Sequence, residues 1–470
     1  MASHTSKRLT GVLTNSFLAA PEATPRIETA HRRITTPLPA PETTARLAAA
    51  AKLFPQVNCY QPPILWDRAS GYQVFDAAGN CWIDFSSTAV MTNTGHGHPK
   101  IRAALQSHAE HGLLAQFSFA SEIRIKLAEE LLALAPPHCE KVAFWTVGSE
   151  ATECALRLAR VFGMQKNPEK FHIVTLRGDY HGWTLGAHQI SGERATKPWL
   201  SHADAAIHHI LFPYHDGNGD EADAAHWSGF LEESFEQLAG NGVTPDKIAG
   251  VFIETCQGWC AMPLPLPYVR HLRAWADEHD VLLIFDEIQT GFGRTGKWFG
   301  HEHYGVRADL ICIAKGVTSS LPLSAVLGPA EVLDVLAPAE VTTTHAAHPL
   351  SCAAALANLQ VLKEERLIEE AARKGEIAAA ALRRLQDRFP EHIARSTGWG
   401  LLRAIHVRDP RTKNPSRELA RDWTWAAVKQ GVMLFQVNQA TLKVCPPLMI
   451  PDGALSEGIE DLGDALATIV

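Results

Sequence analysis

The chain has 470 residues, 46% of them apolar and 20% charged, and a formal net charge of −8. That length accommodates one large domain with smaller lobes, and the mild acidity gives no reason to expect nucleic acid or an anionic membrane as partner. No apolar run approaches the ~18 residues a membrane span requires. Nine scattered cysteines form no disulfide framework and read as reduced thiols of a cytoplasmic protein.

Residues 1–45 are rich in Ser, Thr, Pro and Ala. Lys7 and Arg8 precede a weakly apolar stretch, but Thr10, Thr14, Asn15 and Ser16 interrupt it, which argues against a signal peptide. The segment is expected to be a flexible arm, mobile or packed on a partner subunit. Residues 46–95 are expected to begin a small domain, with a hairpin over 73–85 turning at Gly79 and Asn80. A large domain is expected over 96–350. It contains a helix from Ser121, with that serine as cap and apolar spacing at Ile125, Leu127, Leu131 and Leu132.

Seven strand-like runs then alternate with helical segments, at 142–146, 172–176, 208–212, 249–253, 281–286, 309–313 and 324–328. Such alternation predicts an α/β fold with a mainly parallel sheet flanked by helices. After Pro349, helical segments dominate, and later strands over 351–470 predict a smaller α+β lobe.

Ligands of parallel sheets sit outside the carboxyl ends of the strands. Three segments deliver polar groups there, and a fourth opens a helix. Gly148 and Ser149 lie just ahead of a helix whose apolar face is Ala151, Cys154, Ala155, Leu158 and Phe162; free N–H groups at a helix start seat a phosphate. GDYHGWT sets Tyr180 and His181 in a glycine-flanked loop, where an aromatic ring can lie against a flat cofactor. Asp286 and Gln289 follow the run ending at 286, and Lys315 follows the run ending at 313. A carboxylate and a lysine delivered to one place suit pyridoxal phosphate (PLP): the lysine forms an imine, and the acid favours a protonated pyridine ring.

Rival readings carry less. Gly291, Gly293 and Gly296 spell GxGxxG, but no crossover helix starts there and no acid follows about 20 positions on, so a dinucleotide fold is disfavoured. Cys256 and Cys260 lack a second ligand pair at zinc spacing, and His96 with His98 and His301 with His303 lack carboxylate or cysteine partners, so they read as surface or loop residues.

The segments GSEATECALRLAR, DYHGW, IFDEIQTGFGRTG, IAKGVTSSLPLSAVLG and THAAHPLSCAAALANLQVL together resemble the class III (ω-) aminotransferases, a PLP family of fold type I, from about Tyr60 onward. The resemblance implies a large domain with a seven-stranded, mainly parallel sheet, and a small lobe built from both chain ends. It implies that Lys315 binds PLP covalently and shuttles protons, that Asp286 pairs with the ring nitrogen, and that Gln289 meets the ring hydroxyl. Tyr180, beside His181, would stack on the ring, Gly148 and Ser149 would hold the phosphate, and Glu254 would lie near the cofactor. Thr344 would reach the phosphate of the neighbouring subunit of a homodimer.

Several positions depart from the family pattern. Lys443 stands where an arginine clamps the substrate α-carboxylate, and a lysine lacks that planar fork. Trp259 replaces the acid after Gln-Gly, Ala89 occupies the glutamine position of the decarboxylating branch, and His348 replaces a common asparagine. These point to an aminotransferase joining an amine donor to a carbonyl acceptor, the donor being an ω-amine, amino acid or amino sugar, with Trp66, Trp183 and Trp259 as candidate stacking surfaces. A PLP-dependent racemase or epimerase on the same scaffold is the alternative.

Overall fold

The computed structural model of the protein describes residues 15–192, 197–214, 224–437 and 439–470. Its centre is a seven-stranded sheet: β1 (Lys141–Trp145), β2 (His172–Leu176), β3 (Ile207–Ile210), β4 (Ile248–Glu254), β5 (Leu282–Asp286), β6 (Leu310–Ile313) and β7 (Ser324–Gly328). The order is β1-β7-β6-β5-β4-β2-β3, and only β7 runs antiparallel to its neighbours. All seven predicted strand runs fall in this sheet. Every residue of β4, β5, β6 and β7 is buried, which is why these runs read as continuously apolar.

Helices cover both faces. On one, α1 (Gly148–Lys166) buries Ala151, Cys154, Ala155 and Leu158 against Phe252, Ile284, Leu310 and Val326. On the other, α2 (Leu266–Glu278) buries Val269 and Leu272 in a cluster with Val251, Ile253, Leu283 and Phe285. A long helix, α3 (Pro349–Glu364), buries eleven residues, and the domain boundary expected between 350 and 351 falls in its first turn.

The smaller lobe draws on both chain ends. Strands Trp66–Ser70, Gln73–Asp76 and Cys81–Asp84 form a meander, and Val432–Met433 adds to Cys81–Asp84 in parallel. The turn of the predicted hairpin is closed by Gly79, whose φ of +87° suits a residue without a Cβ. Further on, β8 (Ile393–Trp399), β9 (Leu402–Val407) and β10 (Thr441–Val444) make a three-stranded antiparallel sheet.

Three expectations are corrected. Residues 15–45 are no free arm: Ile34 and Leu38 are fully buried, Arg33–Ile34 pairs with the strand at Cys81, and Arg32 binds Glu457 at 2.7 Å. Apolar side chains spaced among the prolines anchor this segment to its own lobe. Ser121 precedes the helix Glu122–Leu134 but its side chain makes no capping bond, and Ile125 is exposed while Leu127 and Leu131 are buried. His96, in a loop, and His301, in the short 3-10 helix Gly300–His303, lie inside the protein, and carboxylates meet three of the four histidines: Asp84 meets His96 at 2.8 Å, Glu287 meets His301 at 3.0 Å and Glu365 meets His98 at 3.0 Å. Among the described residues, no helix is long and apolar enough to cross a membrane.

Candidate active site

The sheet register brings the site together. Asp286, last in β5, pairs with Glu254 at the end of β4 and with Cys312 of β6, so two carboxylates emerge side by side at the strand ends. Lys315 follows two residues after β6, in a turn where its φ is +44°. That left-handed conformation costs a non-glycine residue about 1–2 kcal/mol, and neighbours hold it. Asn358 of α3 donates to the carbonyls of Gly316 (2.9 Å) and Val317 (3.0 Å). A Cβ on Gly316 would lie 2.4 Å from Asn93 Nδ2, an atom that itself donates to Phe292 O at 2.8 Å. Fully buried Arg294 closes the brace with a 2.7 Å bond to Asn93 Oδ1.

The braced Lys315 opens on a cavity of about 470 Å³. Asp286, Glu254, Gln289 and Lys315 share it with Tyr180, His181, Gly148 and Ser149. Of the sequence candidates, Thr344 lies outside this cavity in an exposed position, and Trp259 and Lys443 border it through neighbours. Gly148 and Ser149, expected ahead of the helix, are its first two residues. The Glu150 carboxylate caps α1 by accepting from the N–H groups of Thr146 (2.8 Å) and Val147 (3.2 Å). Gly182 packs so closely on this helix start that a Cβ there would sit 2.2 Å from Ser149 Oγ.

At the other end of the cavity, His181 Nδ1 lies 2.8 Å from Asp286 Oδ2. A carboxylate offers only acceptors, so this contact suits an Nδ1–H donor on the His181 ring. The other Asp286 oxygen accepts from Ile288 N at 3.0 Å, which fixes the carboxylate plane. Glu254 accepts from Tyr180 N (2.8 Å) and Gly258 N (3.0 Å). Asp179, wholly buried, accepts from Glu254 N at 3.1 Å.

Burial first, and neighbouring carboxylates with it, raise both carboxyls to about 8: Asp179 and Asp286 act on Glu254, and Asp286 acts on Asp179. Burial also lifts the Tyr180 phenol to about 12, so it stays a neutral hydroxyl. The Lys315 amine moves the other way: burial depresses it, Lys443 adds to the depression, and Asp286 and Glu254 oppose it. A depressed amine is a better nucleophile and base near neutral pH.

Sequence reasoning missed several parts. Asp179 lies inside the GDYHGWT segment, but a carboxylate two residues before a histidine carries no distinctive spacing. Asn93, Arg294 and Asn358 brace the lysine from three distant segments. Ser87–Val90 form a left-handed turn with φ between +43° and +65°, leading directly to Met91 in the cavity wall. Ser87 Oγ donates to Cys445 O at 2.6 Å and Ser86 Oγ to Asp84 Oδ1 at 2.6 Å, bonds that hold the strained segment.

A flat ring with a phosphate at one end and a basic nitrogen at the other matches this donor set in size and polarity. Over residues 56–466 the chain matches the family Aminotransferase class-III. The chain belongs to that family. Among its relatives, a 5-aminovalerate aminotransferase from Pseudomonas putida is 32% identical, the match covering 90% of this chain and 97% of that protein. A leucine/methionine racemase from Thermococcus litoralis is 31% identical, covering 89% of this chain and 94% of that one. The solved structure of a thermostable (S)-enantioselective ω-transaminase from Thermomicrobium roseum superposes with a TM-score of 0.81 at 29% identity, covering 91% and 99% of the two chains. This class III aminotransferase is a PLP-dependent enzyme of fold type I.

Proposed function

We propose that Lys315 binds PLP covalently and moves the proton at the substrate carbon that bears nitrogen. PLP, when bound, supplies an electron sink for the bonds at that carbon. Asp286, held by His181, would anchor the ring nitrogen, and Gln289 would meet the ring hydroxyl. Tyr180 would cover one ring face, while the N–H groups and hydroxyl of Gly148 and Ser149 would take the phosphate. Glu254 would lie near the ring, and it orients the Tyr180 backbone.

The reaction is transamination between an amine donor and a carbonyl acceptor. The observation that carries it is the convergence of Lys315, Asp286 and the start of α1 on one cavity within a class III chain. We place an uncarboxylated donor first, an ω-amine or amino sugar: Tyr180 of the cavity wall has Trp259 at 5.2 Å and Trp183 at 5.8 Å, both edge-on, an aromatic cluster beside the site that suits such a donor. Trp66, the third candidate, sits instead edge-on to His96. A homodimer completes the site through Thr344 of the second copy. Exposed Leu114, Phe117 and Phe119 support such an assembly, because apolar side chains clustered at a surface favour association. All nine cysteines are unpaired, which supports a cytoplasmic setting.

The test is a donor and acceptor screen on the PLP-loaded enzyme, with borohydride reduction of wild type and Lys315→Ala. Reduction fixes PLP to the wild type alone; an unchanged adduct in the variant sinks the lysine assignment. The racemase relative favours a second reading, isomerisation. Solvent deuterium entering the amine-bearing carbon, without amino transfer to any acceptor, would establish it.

A further inference from the structure

We propose that Lys443 is a positioning residue for the cofactor: its ammonium holds the Gln289 amide in the one orientation that presents an N–H group to the cavity. The inference rests on the PLP reading above. Lys443 belongs to β10, opposite Ala404 of β9, and is only 5% exposed. Its Nζ donates to Gly258 O at 2.6 Å and to Gln289 Oε1. An ammonium has three donors and no acceptor, so the amide oxygen must face it. The amide nitrogen is left as the free end of Gln289, and it can only donate.

A donor aimed at the ring hydroxyl stabilises the deprotonated hydroxyl, and a fixed positive charge behind the amide strengthens that bond. A substrate carboxylate, by contrast, would have to draw the ammonium from two established acceptors in a nearly closed position. The lysine is thus a device of the C-terminal lobe that sets an amide of the large domain, and donors with and without an α-carboxylate feel its loss alike.

The experiment uses PLP-loaded enzyme and follows the PLP dissociation constant and the pH midpoint of the bound cofactor's visible absorbance. Lys443→Met is expected to weaken PLP binding about tenfold and to raise the midpoint by about one pH unit, as loss of an oriented donor to the ring hydroxyl does. Lys443→Arg restores most of both. In a Gln289→Ala background, Lys443→Met loses most of its effect on the midpoint, which a purely structural lysine would not show. Gln289→Glu keeps a partner for the buried ammonium but removes the N–H donor, so it shifts the midpoint even if Lys443→Met folds poorly. An undiminished shift in the Gln289→Ala background, an unmoved midpoint in Gln289→Glu, or a KM rise confined to carboxylated donors overturns the proposal. Wild-type enzyme that fails to bind PLP overturns the cofactor reading itself, a separate outcome.

Discussion

The cavity wall and the aromatic cluster beside it are built differently. In the wall, strand termini and a helix start deliver the polar groups, and both carboxylates are held by two bonds: Asp286 by His181 and Ile288 N, Glu254 by Tyr180 N and Gly258 N. In the cluster, Trp183 is 68% exposed, and Trp259 meets Tyr180 only through an edge-on contact. Rigid elements thus carry the chemistry common to a family, while loops and lobe contacts carry what distinguishes one member from another.

That contrast can be broken by substitution in either region. Lys315→Ala should lower turnover by about four orders of magnitude if, as proposed, it is both covalent anchor and proton carrier; single-turnover kinetics with the best donor measures it. Asp286→Asn removes the charge that favours a protonated ring and should reduce kcat roughly a hundredfold or more, with little change in donor KM. Gly316→Ala presses a methyl onto Asn93 and should destabilise the fold by about 1–3 kcal/mol, read by urea unfolding. In the aromatic cluster, Trp259→Ala should raise KM several-fold for ring-bearing donors, about 1 kcal/mol, and leave kcat nearly unchanged. Equal losses of kcat in both regions would erase the distinction.

A further prediction concerns pH. Asp179 has a folded-state pKa raised to about 8 from 3.8, so between those values the folded protein binds more protons than the unfolded chain. Its contribution to stability is therefore full below about pH 4 and is lost as pH rises through about 8. Asp179→Asn should flatten that part of the stability profile, measured by urea unfolding at pH 5 and pH 8. An equally steep fall in the variant would assign the slope to Glu254.

Legibility followed the same division. Strands β4 to β7 could be read from their apolar runs because burial on both faces leaves no alternation to confuse them, and Asp286 and Lys315 stood out as charges ending such runs. Residues 15–45 misled because their few buried side chains, such as Ile34 and Leu38, are scattered among prolines and threonines. The brace of Asn93, Arg294 and Asn358 joins residues up to 265 positions apart, which no local pattern encodes. The orientation of Lys443 depends on how β10 meets the turn after β5, a tertiary fact with no sequence signature.

The left-handed turn at Ser87–Val90 bears on biosynthesis. It follows a strand bonded to Gly431 and Met433, and its first residue is tied to Cys445. During translation these anchors leave the ribosome only after some 340 further residues have been made. This wall of the site therefore remains unfastened throughout nearly the whole of synthesis, and the nascent large domain can acquire its sheet well before it acquires a finished chamber.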